Sequence, residues 1–140
     1  MNKPAEDRLD WSRAAAPSLD DFAALADAAF KALPQPFRGL AGDVRMRVED
    51  FADDALLDEL GIQDPFELTG VYSGQDLAHQ SVLDGAALPA EVILFRRPIL
   101  DEWADNGEVA LGDLIAHVLV HEIGHHMGLS DDDIHAAEDR

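Results

Sequence analysis

Near the end of this 140-residue chain, in the stretch HEIGHHMGLSD, two histidines stand four residues apart with a glutamate directly after the first: His121, Glu122 and His125. Side chains at i and i+4 of an α-helix share a face, one turn apart. Two imidazoles so placed hold a single metal ion at about 2.0–2.1 Å each. Glu122 is rotated by about 100° from His121. It therefore stands beside such an ion rather than on it, where a base for a metal-activated water belongs. A third ligand requires the helix to end soon after His125. Gly128 supplies that end, because glycine takes left-handed backbone at a helix C-terminus without steric cost. Asp131, three residues later, then has a path back to the metal. The pattern H-E-x-x-H-x-x-G-x-x-D thus assigns His121, His125 and Asp131 to one zinc per chain, with Glu122 as the catalytic acid/base. A polar helix end packed by salt bridges with Asp131, Asp132 and Asp133 is the plainer alternative. It leaves unexplained why two histidines and a glutamate interrupt an apolar face.

The remaining histidines read differently. His117 precedes His121 by one turn and is expected to be a satisfied core histidine or a hydrogen-bond partner of a ligand, with ligation as its rival role. His126 falls off the metal-facing side and is expected to support a ligand or to be exposed. His135 and Glu138 lie on a short terminal helix, where either can hydrogen-bond a ligand; His135 also competes with Asp131 for the third position. Tyr72, the only tyrosine, reads as a packed strand residue, with an oxyanion donor as the alternative. There is no cysteine, so thiolate sites and disulfides are excluded and the ligands are nitrogen and oxygen. Two histidines and a carboxylate suit iron(II) or manganese as well as zinc.

The elements that must position these groups follow from periodicity. Leu111, Leu114, Ile115, Val118 and Leu119 form an apolar face that continues into Ile123 and Met127. A long, mostly buried helix is therefore expected from about Glu108. Upstream, Ser18 with Asp21 resembles a capping box, and Leu19, Phe22, Ala26, Ala29, Phe30 and Leu33 recur at helical spacing until Pro34 and Pro36 stop the helix. VRMRV (Val44 to Val48) alternates as a strand with Val44, Met46 and Val48 inward. DDALLDELG (Asp53 to Gly61) reads as a short capped helix. LTGVYSG (Leu68 to Gly74) and AEVILFRR (Ala90 to Arg97) read as strands. The segment from Gln75 to Pro89 between them is long enough to suggest a lid or rim. Pro98 is expected to open a short helix through Trp103, broken by DNG. The fold class is α+β: a small mixed sheet backed by helices, with the metal site on a C-terminal active-site helix. Residues 1–17 read as a flexible arm that Trp11 pins to the body, and residues 18–140 as one domain.

Composition narrows the partners. Ten basic against 29 acidic residues give a formal net charge of −19, which repels phosphate backbones. Nucleic acid is not an expected partner, and Arg45, Arg47, Arg96 and Arg97 read as strand arginines paired with carboxylates. The N-terminus has no apolar signal-peptide core and no apolar run reaches the ~20 residues of a membrane span, so a cytoplasmic protein is expected.

Three stretches, RVEDFADDALLDELGIQDPFELTGVYSG, LPAEVILFRRPILDEW and VHEIGHHMGLSDDDIHAAE, resemble the bacterial family of small predicted zinc metallopeptidases with a minimal zincin fold. The likeness runs from about Ser18 to the C-terminus. It implies a mixed sheet and an active-site helix bearing the histidines, with His121, His125 and Asp131 on zinc and Glu122 as acid/base. A shallow cleft is expected to take a peptide or flexible protein as substrate. The spacing is that of metzincins with aspartate in place of the last histidine. Nine residues follow Asp131, so the methionine turn and the lower cleft wall of full metzincins are not expected, and Met127 precedes the third ligand. Two other classes share parts of the pattern. One is a binding or regulatory module whose metal only stiffens the fold. The other is the metal-dependent endoribonuclease of ribosomal RNA maturation, whose motif lacks a glutamate after its first histidine.

Overall fold

The structure is a computed structural model that describes residues 10–74 and 90–138. Helix α1 (Leu19–Lys31) begins where the sequence sets a cap. The Ser18 hydroxyl accepts the Asp21 N–H at 3.1 Å, and the Asp21 carboxylate accepts the Ser18 N–H at 2.8 Å. Phe22 and Ala26 are buried, whereas Leu19, assigned to the same face, is exposed. Trp11 does not pin the preceding segment; it is 74% exposed on a short 3-10 turn. The tie is made instead by the Pro17 carbonyl, which accepts the Arg96 Nε–H at 2.6 Å.

A helical turn, α2 (Phe37–Leu40), leads into strand β1 (Arg45–Glu49). Helix α3 (Asp54–Leu60), capped by Asp53 and ended by Gly61 in left-handed backbone, precedes strand β2 (Gly70–Ser73). Strand β3 (Glu91–Phe95) lies between the other two. It pairs with β1 in parallel, Arg45 opposite Glu91 and Glu49 opposite Phe95. With β2 it pairs antiparallel, Gly70 opposite Leu94 and Ser73 opposite Glu91. The two outer strands explain why their sequences alternate while VILF of β3 is apolar throughout. Val92 and Leu94 join the main core with α1 and α5, and Ile93 and Phe95 join a smaller core with Leu57 of α3. A central strand covered on both faces has no solvent side to mark with polar residues.

Helix α4 (Arg96–Asn106) starts directly at the end of β3, two residues before the proline that was expected to open it. Pro98 sits in the first turn, where a missing N–H removes no intrahelical bond. Arg96 and Arg97 are therefore helical rather than strand residues. Arg96 pairs with Asp50 at 3.0 Å, Arg97 stands 5.8 Å over the Phe51 ring, and on β1 Arg47 reaches Glu49 and Glu91 at 3.5 and 3.4 Å. Gly107, with φ 70°, ends α4, and the Trp103 indole N–H donates to the Val109 carbonyl across the break. Then follow α5 (Leu111–His126) and α6 (Asp131–Glu138). Helix α5 packs on α1, β2 and β3, and buries Ile115, Leu119 and Ile123 completely. The fold is the expected mixed sheet backed by helices. The lid or rim suggested for Gln75 to Pro89 lies outside the described residues. Among those described, no helix is long and apolar enough to cross a membrane.

Candidate metal centre

The end of α5 is built from backbone bonds that its sequence dictates. Gly128 takes φ 79°. Its N–H donates to the His125 carbonyl at 2.9 Å, and the Leu129 N–H to the Gly124 carbonyl at 3.0 Å. This pair of bonds is the Schellman closure that a glycine after a helix permits. Ser130 then caps α6: its hydroxyl accepts the Asp133 N–H, and the Asp133 carboxylate accepts the Ser130 N–H. The three consecutive aspartates thus divide their work. Asp133 completes the cap, and Asp131, the first residue of α6, turns back toward α5.

There it meets both histidines. Asp131 Oδ1 lies 3.1 Å from His121 Nε2 and 3.4 Å from His125 Nε2, and the two nitrogens are 3.1 Å apart. A tetrahedral zinc with nitrogen and oxygen ligands at about 2.0–2.1 Å has ligand-to-ligand edges of about 3.3–3.4 Å. One edge of the triangle equals that length and the other two are shorter by about 0.2–0.3 Å. Its chemistry suits a metal as well: two imidazole lone pairs and one carboxylate oxygen would form a three-ligand set of the kind found in catalytic zinc sites. Glu122 offers a further carboxylate, its donor atom within 4.8 Å of those of both histidines. Asp131 and Glu122 are thus both carboxylates within reach of the two histidine nitrogens.

Two features hold Glu122 there. The Tyr72 backbone N–H donates to its carboxylate, which fixes the acid against β2. Gly70 allows β2 to come that close, since a Cβ at this position would meet Val118 Cγ1 at 2.9 Å and Glu122 Cγ at 3.4 Å. Burial pushes the Glu122 carboxyl above the usual range and the charge of Asp131 adds to this. The His125 imidazole and the Tyr72 N–H pull the other way without cancelling the rise.

His117 is exposed rather than a core residue. With Thr69, Glu102, Val118, His121 and Glu122 it lines a cavity of about 140 Å³ over the site. Thr69 and Glu102 also line a larger groove of about 390 Å³ that carries Glu67, Asp101 and Asp105. His126 is not exposed: it is 3% accessible and shares a 2.9 Å hydrogen bond, through Nδ1, with the Tyr72 hydroxyl. Sequence reasoning missed this pair. The signal was present, because His126 follows Leu119 by seven residues and so lies on the buried stripe of α5. The side chains of His135 and Glu138 lie outside the described set.

The model of the zincin-like metallopeptidase family matches residues 41–140. The chain belongs to that family. The matched span runs from Ala41 through α6, takes in the whole site, and leaves α1 and α2 outside it, although the likeness was expected from Ser18 onward. No curated protein matches the chain. Zincin-like metallopeptidases carry a divalent metal on such a histidine helix, and the donor triangle here is suited to one.

Proposed function

We propose that this protein is a zinc-dependent peptidase in which His121, His125 and Asp131 hold one zinc and Glu122 is the catalytic acid/base. The observation that carries this reading is the 3.1–3.4 Å convergence of two imidazole nitrogens and one carboxylate oxygen with Glu122 beside them. When bound, zinc supplies Lewis-acid chemistry, polarising a peptide carbonyl and making water nucleophilic near neutral pH. Glu122 takes the proton of the attacking water as the new C–O bond forms. It then returns that proton to the amide nitrogen as the C–N bond breaks. The Tyr72 N–H holds the carboxylate beside the histidines.

The substrate is an extended or flexible peptide rather than a nucleic acid, whose phosphates the net charge of −19 repels. Strand β2, last in the sheet order among the described residues, lies against α5 and offers an edge for strand addition. The carboxylates of the adjoining groove favour basic over acidic segments. A cytoplasmic location and the absence of a membrane partner belong to the same reading.

The test is a peptide-library digest by metal-loaded protein, with and without chelator, beside a metal analysis of untagged protein that separates zinc from iron(II) and manganese. Chelator-sensitive cleavage restored by zinc supports the peptidase. Stoichiometric zinc without cleavage of any peptide points to a metal-stabilised binding module instead.

A further inference from the structure

Gly124 sits in the last turn of the site helix, between the two histidines, although glycine is the poorest helix former after proline. Its reason for being there is α6. A Cβ built on Gly124 would meet Ile134 Cγ1 at 2.4 Å and Cδ1 at 2.5 Å. Ile134 is fully buried and β-branched, so its χ1 is stiff within a helix and it has no room to swing aside. It lies three residues after Asp131, hence on the same face of α6. Only Met127 to Ser130 separate α5 from α6, and the Leu129 N–H is bonded to the Gly124 carbonyl itself. So short a link gives α6 little freedom to shift without carrying Asp131 along.

We propose that Gly124 is a positioning residue for the third ligand: its bare Cα is the notch into which Ile134 seats, and that seat holds Asp131 against His121 and His125. The proposal rests on the reading of Asp131 as a zinc ligand. An alanine at 124 forces α6 away by the better part of the gap between 2.4 Å and ordinary contact. Asp131 then leaves a triangle whose edges have little slack. The contact also names its own remedy. With Ile134 cut back to alanine, the nearest atom to a Cβ at 124 is the Cβ of residue 134, at 3.6 Å, an ordinary van der Waals distance.

The experiment is a zinc titration against a competing chelator on wild type, Gly124→Ala, Ile134→Ala, the Gly124→Ala/Ile134→Ala double variant, Asp131→Ala and Gly124→Ala/Asp131→Ala. Helical content is measured by circular dichroism on each. Gly124→Ala is expected to weaken zinc binding by about tenfold or more. The Gly124→Ala/Ile134→Ala variant is expected to come within about threefold of Ile134→Ala alone. Adding Asp131→Ala to Gly124→Ala is expected to cost little more than either alone, a non-additivity that a merely destabilising substitution would not produce. Wild-type affinity in folded Gly124→Ala, with Asp131→Ala weakened, overturns the proposal and leaves the ligand reading intact. A loss in Gly124→Ala that Ile134→Ala does not repair also overturns it. Unchanged affinity in Asp131→Ala overturns the ligand reading and the proposal together. If Gly124→Ala does not fold, the double variant decides: affinity matching Ile134→Ala supports the seat, and a further loss of about tenfold or more overturns it.

Discussion

Helix α5 shows two sides that obey different rules. One side packs Ile115, Leu119 and Ile123 against α1 and the sheet, where Phe22, Val92 and Leu94 are fully buried. The other carries His117, His121, Glu122 and His125, and is completed by single atoms from α6 and β2. Burial on the first side is non-directional and scales with area, so its energy is spread over many contacts. On the second side, three donor atoms stand within 3.4 Å of one another, and the proposed function depends on their individual positions. The family match divides the molecule along a similar line, since it covers the site in full but not α1, which supports the dry side. The same helix is thus a core element by one face and a chemical device by the other.

Substitutions on the two sides should fail in different ways. The largest effect is expected from His121→Ala or His125→Ala: metal analysis should find zinc binding abolished, while helical content stays unchanged because the α1–α5 packing is untouched. Stoichiometric zinc in the variant lacking both histidines would remove the metal assignment. Next comes the dry side. Phe22→Ala should lower unfolding stability in urea by about 3–5 kcal/mol, from lost burial and the cavity left behind. The protein that remains folded should still take up one zinc, and loss of the zinc in that fraction would show that the two sides are not separable.

That contrast also explains what was legible in the sequence. The strand-turn-helix order, the dry face of α5 and the cap of α1 followed from periodicity and local chemistry, which require no knowledge of neighbours. The histidine spacing and the left-handed Gly128 were local in the same sense. The remaining site contacts are made across the chain. Tyr72 reaches Glu122 through its backbone N–H, which no side-chain pattern marks, and Gly70 matters only because β2 happens to pass against Val118. The start of α4 at Arg96 was hidden because Pro98 reads as a first helical residue yet is equally tolerated later in the first turn. Trp11 carried a strong apolar signal but is exposed on its 3-10 turn, with none of the described residues burying it.

A smaller effect distinguishes the two candidates for the third donor. Asp131→Ala should weaken zinc binding by about 1.4 kcal/mol or more, a tenfold loss, and His135→Ala far less. Isothermal titration of both variants checks this, and the reverse order would move the third position to His135. The smallest effect is expected far from the metal, at the cap of α1. The Ser18 backbone N–H, aided by the Ser18 hydroxyl, holds the Asp21 carboxyl below its ordinary value. A depressed carboxylate contributes stability that is fully present above its unfolded pKa and is lost as the pH falls through the lower folded value. Asp21→Asn should therefore be slightly less stable than wild type at neutral pH in urea titrations. The difference should shrink as the pH falls below the ordinary aspartate range. A difference that persists unchanged in acid would contradict a role for the ionised cap.

The most direct test of the central claim is a comparison of Glu122→Gln with wild type in zinc content and peptide cleavage on the same preparations. The proposed function assigns metal holding to three residues and proton transfer to a fourth. One zinc per chain is therefore predicted in both proteins, with cleavage reduced in the variant by about 10² or more. Cleavage by Glu122→Gln at the wild-type rate would contradict that division of labour.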